Sequence, residues 1–271
     1  MPSFVVVPQW QGSPSARAMR LAEGAAAIRG DLPSQSTYDV AVPLEAGDEQ
    51  STGISRFSSL QLIRERLTDV LGDIDDPAIV IGGDCSVSDS AVRHAADRHG
   101  DLALVWFDAH PDLNTPASSP SRSYGGMVLR ALIDDGAVAA GRVVLAGARS
   151  WDAEEERFAA EAGITSLSPE QTADADAVVA AIEATGASSV YLHVDLDVLD
   201  PAELGGLLDP QPFGVGAADL ATTIRAVLAR FPLAGATLAA YAPADESVVS
   251  DDAPTLLRMI AALGSGSPAS S

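Results

Sequence analysis

The chain has 271 residues, 47% of them hydrophobic, and a formal net charge of −22 from 16 basic and 38 acidic side chains. All the basic residues are arginine and none cluster, so nucleic acid and anionic membrane are excluded as partners, while a divalent cation or a cationic small molecule would be attracted. The single cysteine, Cys85, rules out an internal disulfide, and the short apolar runs fall well below the ~20 residues of a membrane span, so a cytoplasmic protein is expected.

The segment Met1 to Val7 has neither the basic region nor the length of an export signal and reads as a strand at 4–7. A second strand is predicted at 40–43, followed by a polar, glycine- and serine-containing loop over 44–58. A helix at 61–71 then precedes a strand at 78–81, and a helix at 86–99 precedes a strand at 102–107. Residues 114–126 form a second long loop, and long loops in a compact α/β domain usually carry function. Beyond it come strands at 143–146, 164–167, 190–194 and 236–241, with helices at 153–162, 175–185, 217–229 and 253–263. Gly264 to Ser271 is low in complexity and is expected to be disordered. Eight strands alternating with helices predict one α/β domain over 1–263, built on a mostly parallel sheet.

In such a sheet, ligands bind beyond the carboxyl ends of the strands, and three of those ends hold the unusual polar residues. They are Gly82-Gly83-Asp84-Cys85-Ser86, Asp108-Ala109-His110-Pro111-Asp112 and Asp195-Leu196-Asp197 with Asp200-Pro201 following. Alternate residues of an extended segment share a side, so Asp108, His110 and Asp112 can converge, as can Asp195 and Asp197. Four carboxylates and one imidazole gathered in a concave site need cations to neutralise them. Two divalent ions would do so, and a carboxylate-rich set with little sulfur favours Mn2+. A paired site of that kind activates water and polarises the group it attacks. Any one of these short runs is more often a solvated loop or turn; three together at strand ends point to a metal centre. His193 lies two residues before Asp195 on the same strand face and is a partner for the carboxylates, a proton carrier or a hydrogen-bonded core histidine.

The three runs, extended to Asp108-Ala109-His110-Pro111-Asp112-Leu113-Asn114 and Asp195-Leu196-Asp197-Val198-Leu199-Asp200-Pro201, resemble the three sequence blocks of the arginase, agmatinase and formimidoylglutamase superfamily. The resemblance implies a three-layer α/β/α sandwich around an eight-stranded parallel sheet and a hydrolase with two Mn2+ ions acting on a small guanidino amino acid. It makes Asp108 and Asp195 metal-bridging carboxylates, gives Asp112 and Cys85 to one ion, and gives His110 and Asp197 to the other. Cys85 stands where the family usually has histidine. The continuation Asn114-Thr115-Pro116-Ala117-Ser118-Ser119-Pro120-Ser121 is similar to the arginase loop that holds a substrate α-carboxylate, which assigns that contact to Asn114, Ser119 and Ser121. Arg149-Ser150-Trp151-Asp152 resembles the segment that meets the α-amino group, through Asp152, a residue equally suited to capping the next helix.

Two departures bear on substrate. The family's proton-carrying loop histidine aligns with Gly125, and its guanidinium-binding glutamate aligns with Ala240, with Asp245 and Glu246 a few residues on. Together with Cys85 these resemble the branch of the family that hydrolyses Nω-hydroxy-L-arginine to hydroxyurea and L-ornithine in D-cycloserine biosynthesis, since a hydroxyguanidine is less basic than a guanidinium. An arginase, another amidinohydrolase, and a non-catalytic metal-binding relative are the competing readings. Arginase-like relatives are commonly trimers or hexamers; the short polar C-terminus favours a monomer here.

Overall fold

A computed structural model describes residues 2–74 and 77–266, so Met1 and residues 267–271 of the predicted tail lie outside the described residues. Eight strands form one sheet in the order β2-β1-β3-β8-β7-β4-β5-β6. They are β1 Ser3–Val7, β2 Thr37–Asp39, β3 Ala78–Gly82, β4 Leu102–Phe107, β5 Val143–Ala146, β6 Thr165–Leu167, β7 Ser189–Asp195 and β8 Leu233–Ala239. Every pairing between them is parallel, which completes the expected sandwich.

Alternation along the inner strands sorts side chains between two apolar layers. Val105 and Phe107 of β4, with Val190, Leu192 and Val194 of β7, enter one layer. There they meet α1 Met19–Gly30, α7 Ala175–Thr185, α8 Ala217–Arg230 and α9 Glu246–Leu263. Leu104, Trp106 and Tyr191 enter the other, against α2 Phe57–Gly72, α3 Ser88–His99, α4 Val128–Asp134 and α5 Ala153–Ala162. Burying each such side chain contributes about 1.5–3 kcal/mol, enough to fix strand register, since a one-residue slip would exchange the two layers.

Consecutive strands β3 and β4 are separated in the sheet by β8 and β7. The chain therefore builds outward in both directions and fills the middle last, which leaves a crevice beyond the carboxyl ends of β3, β8, β7 and β4. Two glycines let backbone close around it. A side chain at Gly83 would collide with the carbonyl of Gln9, and one at Gly24 in α1 with the carbonyl of Tyr241.

Several boundaries differ from the sequence expectation. The second strand is the polar edge segment Thr37–Asp39, three residues before the predicted one; Val40 is buried and its N–H still donates to Val6 O at 2.9 Å, but Pro43 offers no N–H to extend the ladder. The eighth strand starts at Leu233 and stops at Ala239 because Ala240 takes a φ of +68°. The last helix begins at Glu246 rather than 253 and carries Pro254 inside it. Helices α1, α4 and α6 Pro169–Ala173 were not predicted.

Candidate metal and substrate site

A cavity of about 240 Å³ opens at the crevice and is lined by Cys85, His110, Asp112, Asp195 and Asp197, by Asn114, Ser121 and Asp152, and by Gly125 and Ala240. The three sequence blocks therefore meet, each delivered by the end of an inner strand. Asp84, just beyond β3, is not free to act as a ligand. Its buried carboxylate accepts from Gly12 N at 2.9 Å, Ser86 N at 3.0 Å and Gln9 Nε2 at 3.1 Å, which ties the N-terminal loop to the block that carries Cys85.

Beyond β4, Asp108 is almost wholly buried. Its Oδ1 accepts from His110 N at 2.7 Å and its Oδ2 from the Trp106 indole N–H at 3.1 Å. Asp112 follows with a φ of +52°, in the left-handed region that aspartate tolerates better than most residues, and its buried Oδ2 has no hydrogen-bond partner among the described residues. Beyond β7, Asp195 Oδ1 accepts from Asp197 N at 2.8 Å and Asp197 Oδ1 from Ala109 N at 3.0 Å, which stitches the second and third blocks together. The Cys85 thiol donates to Asp195 Oδ2 at 2.8 Å.

Possible ligand atoms fall into two groups, each with its atoms within 4.8 Å of one another. One holds Cys85, Asp108, Asp112 and His193; the other holds Asp108, His110 and Asp197. Asp108 belongs to both, as a bridging carboxylate should. Asp195 belongs to neither, its oxygens being turned to the Cys85 thiol and the Asp197 amide. His193 is fully buried and stacked on Trp106 at 3.5 Å, with Nδ1 2.8 Å from the Ser88 hydroxyl. Its Nε2 lies 3.8 Å from Asp108 Oδ2, beyond hydrogen-bond reach, and has no other partner among the described residues.

The electrostatics are those of a cage built for cations. Burial first, then the neighbouring carboxylates, pushes Asp112 and Asp195 well above the ordinary carboxyl range and raises Asp197 as well. Burial and the charges of Asp195, Asp112 and Asp108 likewise push the Cys85 thiol up. Burial opposes a charge on His110, but its hydrogen bonds to Asp108 and Asp197 outweigh that and carry its pKa to about 12. Without a cation, protons must do the neutralising, and each is a proton that a bound metal would displace. The orphaned oxygen of Asp112, the unpartnered nitrogen of His193 and the oxygen-rich donor set fit two divalent ions.

The substrate-facing residues divide. Asn114 donates to Asp152 Oδ2 at 2.9 Å, and both line the cavity with Ser121. Ser119 does not reach the cavity wall and connects to it through the Ser121 hydroxyl at 3.1 Å. Asp152 is also the N-cap of α5, where its backbone N–H donates to Glu155 at 3.0 Å, so the two roles foreseen for it are compatible. Tyr124 packs on the far side of its loop, in a separate small cavity beside Asp89. Asp245 caps α9 by accepting from Ser247 N and Val248 N, and neither it nor Glu246 lines the site. Gly125 and Ala240 do line it and present no functional side chain.

Sequence reasoning missed four contributors. Glu155 accepts from Leu113 N at 3.0 Å and holds the second block in place; its spacing from Asp152 signals a capping box but not this contact. Asp209 and Gln211, on the loop after the third block, reach His110 Nε2 at 3.5 and 3.4 Å. Arg149 binds that same loop, donating to the carbonyls of Gly147, Asp197, Val198, Leu199, Gln211 and Pro212 at 2.8–3.3 Å. Replacing Arg149 by alanine is expected to cost about 2–3 kcal/mol, because several carbonyls lose a charged donor at once. Thermal melts of the variant would measure this, and an unchanged midpoint would contradict it.

The arginase family model matches residues 13–260 of the chain. The chain belongs to the arginase family. A Streptomyces lavendulae N(omega)-hydroxy-L-arginine amidinohydrolase is 31% identical over 266 residues, covering 93% of this chain and 94% of that protein. Among solved structures, Entamoeba histolytica arginase in complex with L-ornithine matches with a TM-score of 0.83 at 22% identity, over 96% of each chain. Bacillus subtilis formimidoylglutamase matches with a TM-score of 0.79 at 20% identity, over 97% of this chain and 86% of that one. At those identities the two structures speak for the fold. As an arginase-family amidinohydrolase, the protein is a metal-dependent hydrolase of guanidino compounds.

Proposed function

We propose that the protein hydrolyses Nω-hydroxy-L-arginine to hydroxyurea and L-ornithine with two Mn2+ ions, in antibiotic biosynthesis. The observation that carries this reading is the bare wall at Gly125 and Ala240, in the same cavity as a preassembled cation cage. Its support from relatives is the similarity to an amidinohydrolase named for that substrate.

When bound, the two ions supply an activated water and polarise the carbon it attacks. The chain's residues do the rest. Asp108, Asp112, Asp197, His110 and Cys85 would hold the cations, with Asp195 and His193 beside them. Asn114 and Ser121 offer amide and hydroxyl donors to the α-carboxylate, and Asp152 offers an acceptor to the α-amino group. Held at that end, the side chain of the amino acid is directed along the cavity toward the cage. Water adds to the guanidino carbon, the bond to the ornithine nitrogen breaks, and that nitrogen takes up a proton. Gly125 offers no side chain to deliver it, and the wall histidine His110 is given to the cation cage, which suits a substrate whose guanidino group is weakly basic.

The test is ornithine release by Mn2+-loaded protein offered L-arginine and Nω-hydroxy-L-arginine in parallel, with a chelated control. Turnover confined to the hydroxylated substrate is expected. Equal turnover of arginine would make the protein an arginase in function and overturn the specialised reading.

A further inference from the structure

The cavity wall carries more carboxylates than the cations and the amino-acid head require. Asp112 and Asp197 belong to the cage, and Asp195 is turned to the Cys85 thiol and the Asp197 amide. Asp84 is tied down by Gln9, Gly12 and Ser86. Glu155 is committed to the backbone N–H groups of Leu113 and Asp152, and Asp152 to the Asn114 amide. Asp209 is different. Its partners are the Gln211 side-chain amide at 3.2 Å and the His110 imidazole at 3.5 Å, and its side chain is 75% exposed. Its oxygens therefore retain open lone pairs facing the cavity, and a ligand meeting them need not strip away a buried partner.

Its position is equally specific. His110 Nδ1 lies 3.0 Å from Asp197 Oδ2, inside the cage, so the ring's opposite nitrogen, beside Asp209, marks the outer edge of the cation end. The loop bearing Asp209 is anchored on both flanks: Leu199 bridges Val215, and Arg149 holds the Gln211 and Pro212 carbonyls at 2.8 and 3.0 Å. Asp209 is thus an uncommitted carboxylate on a fixed loop next to the reacting end of the cavity.

We propose that Asp209 receives the terminal N–H groups of the guanidino or hydroxyguanidino end of the substrate and selects for that end. This rests on the substrate class proposed above. Carboxylates accept paired donors from a planar guanidino group, and such charge-assisted bonds are the strong ones.

The experiment compares Mn2+-loaded wild type with Asp209→Asn, which keeps size and removes charge. Calorimetric binding of Nω-hydroxy-L-arginine is expected to weaken about 10- to 100-fold, the range of a hydrogen bond to a charged group. Binding of L-norvaline, which has the same amino-acid head but no side-chain nitrogen, is expected to stay within twofold, with Mn2+ content unchanged. Unaltered hydroxyarginine binding would overturn the proposal, as would an equal loss for norvaline. A variant that loses Mn2+ but, once saturated with it, binds hydroxyarginine normally would also overturn it, making Asp209 a positioning residue for His110. Wild type that binds the amino acid without turning it over would refute the proposed reaction and leave the Asp209 comparison intact. Wild type that binds neither compound would overturn both.

Discussion

Asp112→Asn is expected to lower divalent-cation affinity by about two orders of magnitude or more, while making the cation-free protein more stable at pH 8. Both effects follow from one carboxylate. Asp112 is buried, one of its oxygens has no partner, and burial together with Asp108 pushes its pKa well up, so in the cation-free protein its charge is costly. An amide of the same shape removes the charge. It also suits the φ of +52°, since asparagine, like aspartate, enters the left-handed region readily. Relief of a buried, poorly satisfied charge is worth about 1–3 kcal/mol. The same change deletes an anionic ligand from the Cys85 group, and losing even a supporting contact typically costs about 10–100-fold in affinity. Calorimetric Mn2+ titration and melts in chelator would measure the two effects. A variant less stable than wild type in chelator would show that Asp112 is not strained by its charge.

The second large effect is a stabilisation by Mn2+ that grows with pH. Asp112, Asp195 and Asp197 have folded-state pKa values raised above their unfolded value of 3.8, chiefly by burial. Their contribution to stability is complete below that value and is lost as pH climbs through the raised ones. His110 has the same sign, being raised from 6.5 to about 12. Two groups oppose. Asp108 is lowered, although burial pulls it upward, by His110 and His193; it matters only as pH falls below 3.8. His193 is lowered from 6.5 by burial, and its effect is confined to pH below that value. Between pH 6.5 and 8.5 the cation-free protein should therefore lose stability steadily. Cations that replace the protons remove the dependence. With 1 kcal/mol worth about 2–4 °C in a domain of this size, the gap in melting temperature between Mn2+-loaded and chelated protein should widen by at least ~5 °C over that window. A gap that is flat in pH would mean the cage is not proton-filled when empty of metal.

What the sequence revealed and what it hid have physical causes. The inner strands β3 and β4 were legible because they are buried on both faces and read as unbroken apolar runs, and β7 because its apolar run over 190–194 is broken only by His193. The edge strand Thr37–Asp39 was not, because half-exposed polar residues carry no such run. Helix α1 was hidden by Gly24 and Gly30, of which Gly24 is demanded by the Tyr241 carbonyl packed against it. Pro254 concealed the first half of α9, although Asp245 supplies a regular N-cap there. At the site, the cage residues were legible because each cluster is local in sequence and ends a strand. Asp209, Gln211 and Arg149 were not. Their importance lies in contacts across 48 to 101 positions of chain, and nothing in their own neighbourhoods announces it. His193 was legible through its spacing from Asp195, while its place in the Cys85 group depends on the alignment of β7 with β4.

The bridge from β4 to β7 has one more consequence. The groups that would grip a cation lie on or just beyond three inner strands, β3, β4 and β7, whereas Asn114, Ser121 and Asp209 are borne on loops farther along the chain and Asp152 at a helix start. The machinery for cleaving a carbon–nitrogen bond and the apparatus that decides whose bond is cleaved are thus mechanically separable. Loop residues can drift, lengthen or trade side chains with little penalty to the framework that holds the reagent. A protein organised this way can acquire a new diet while keeping its teeth.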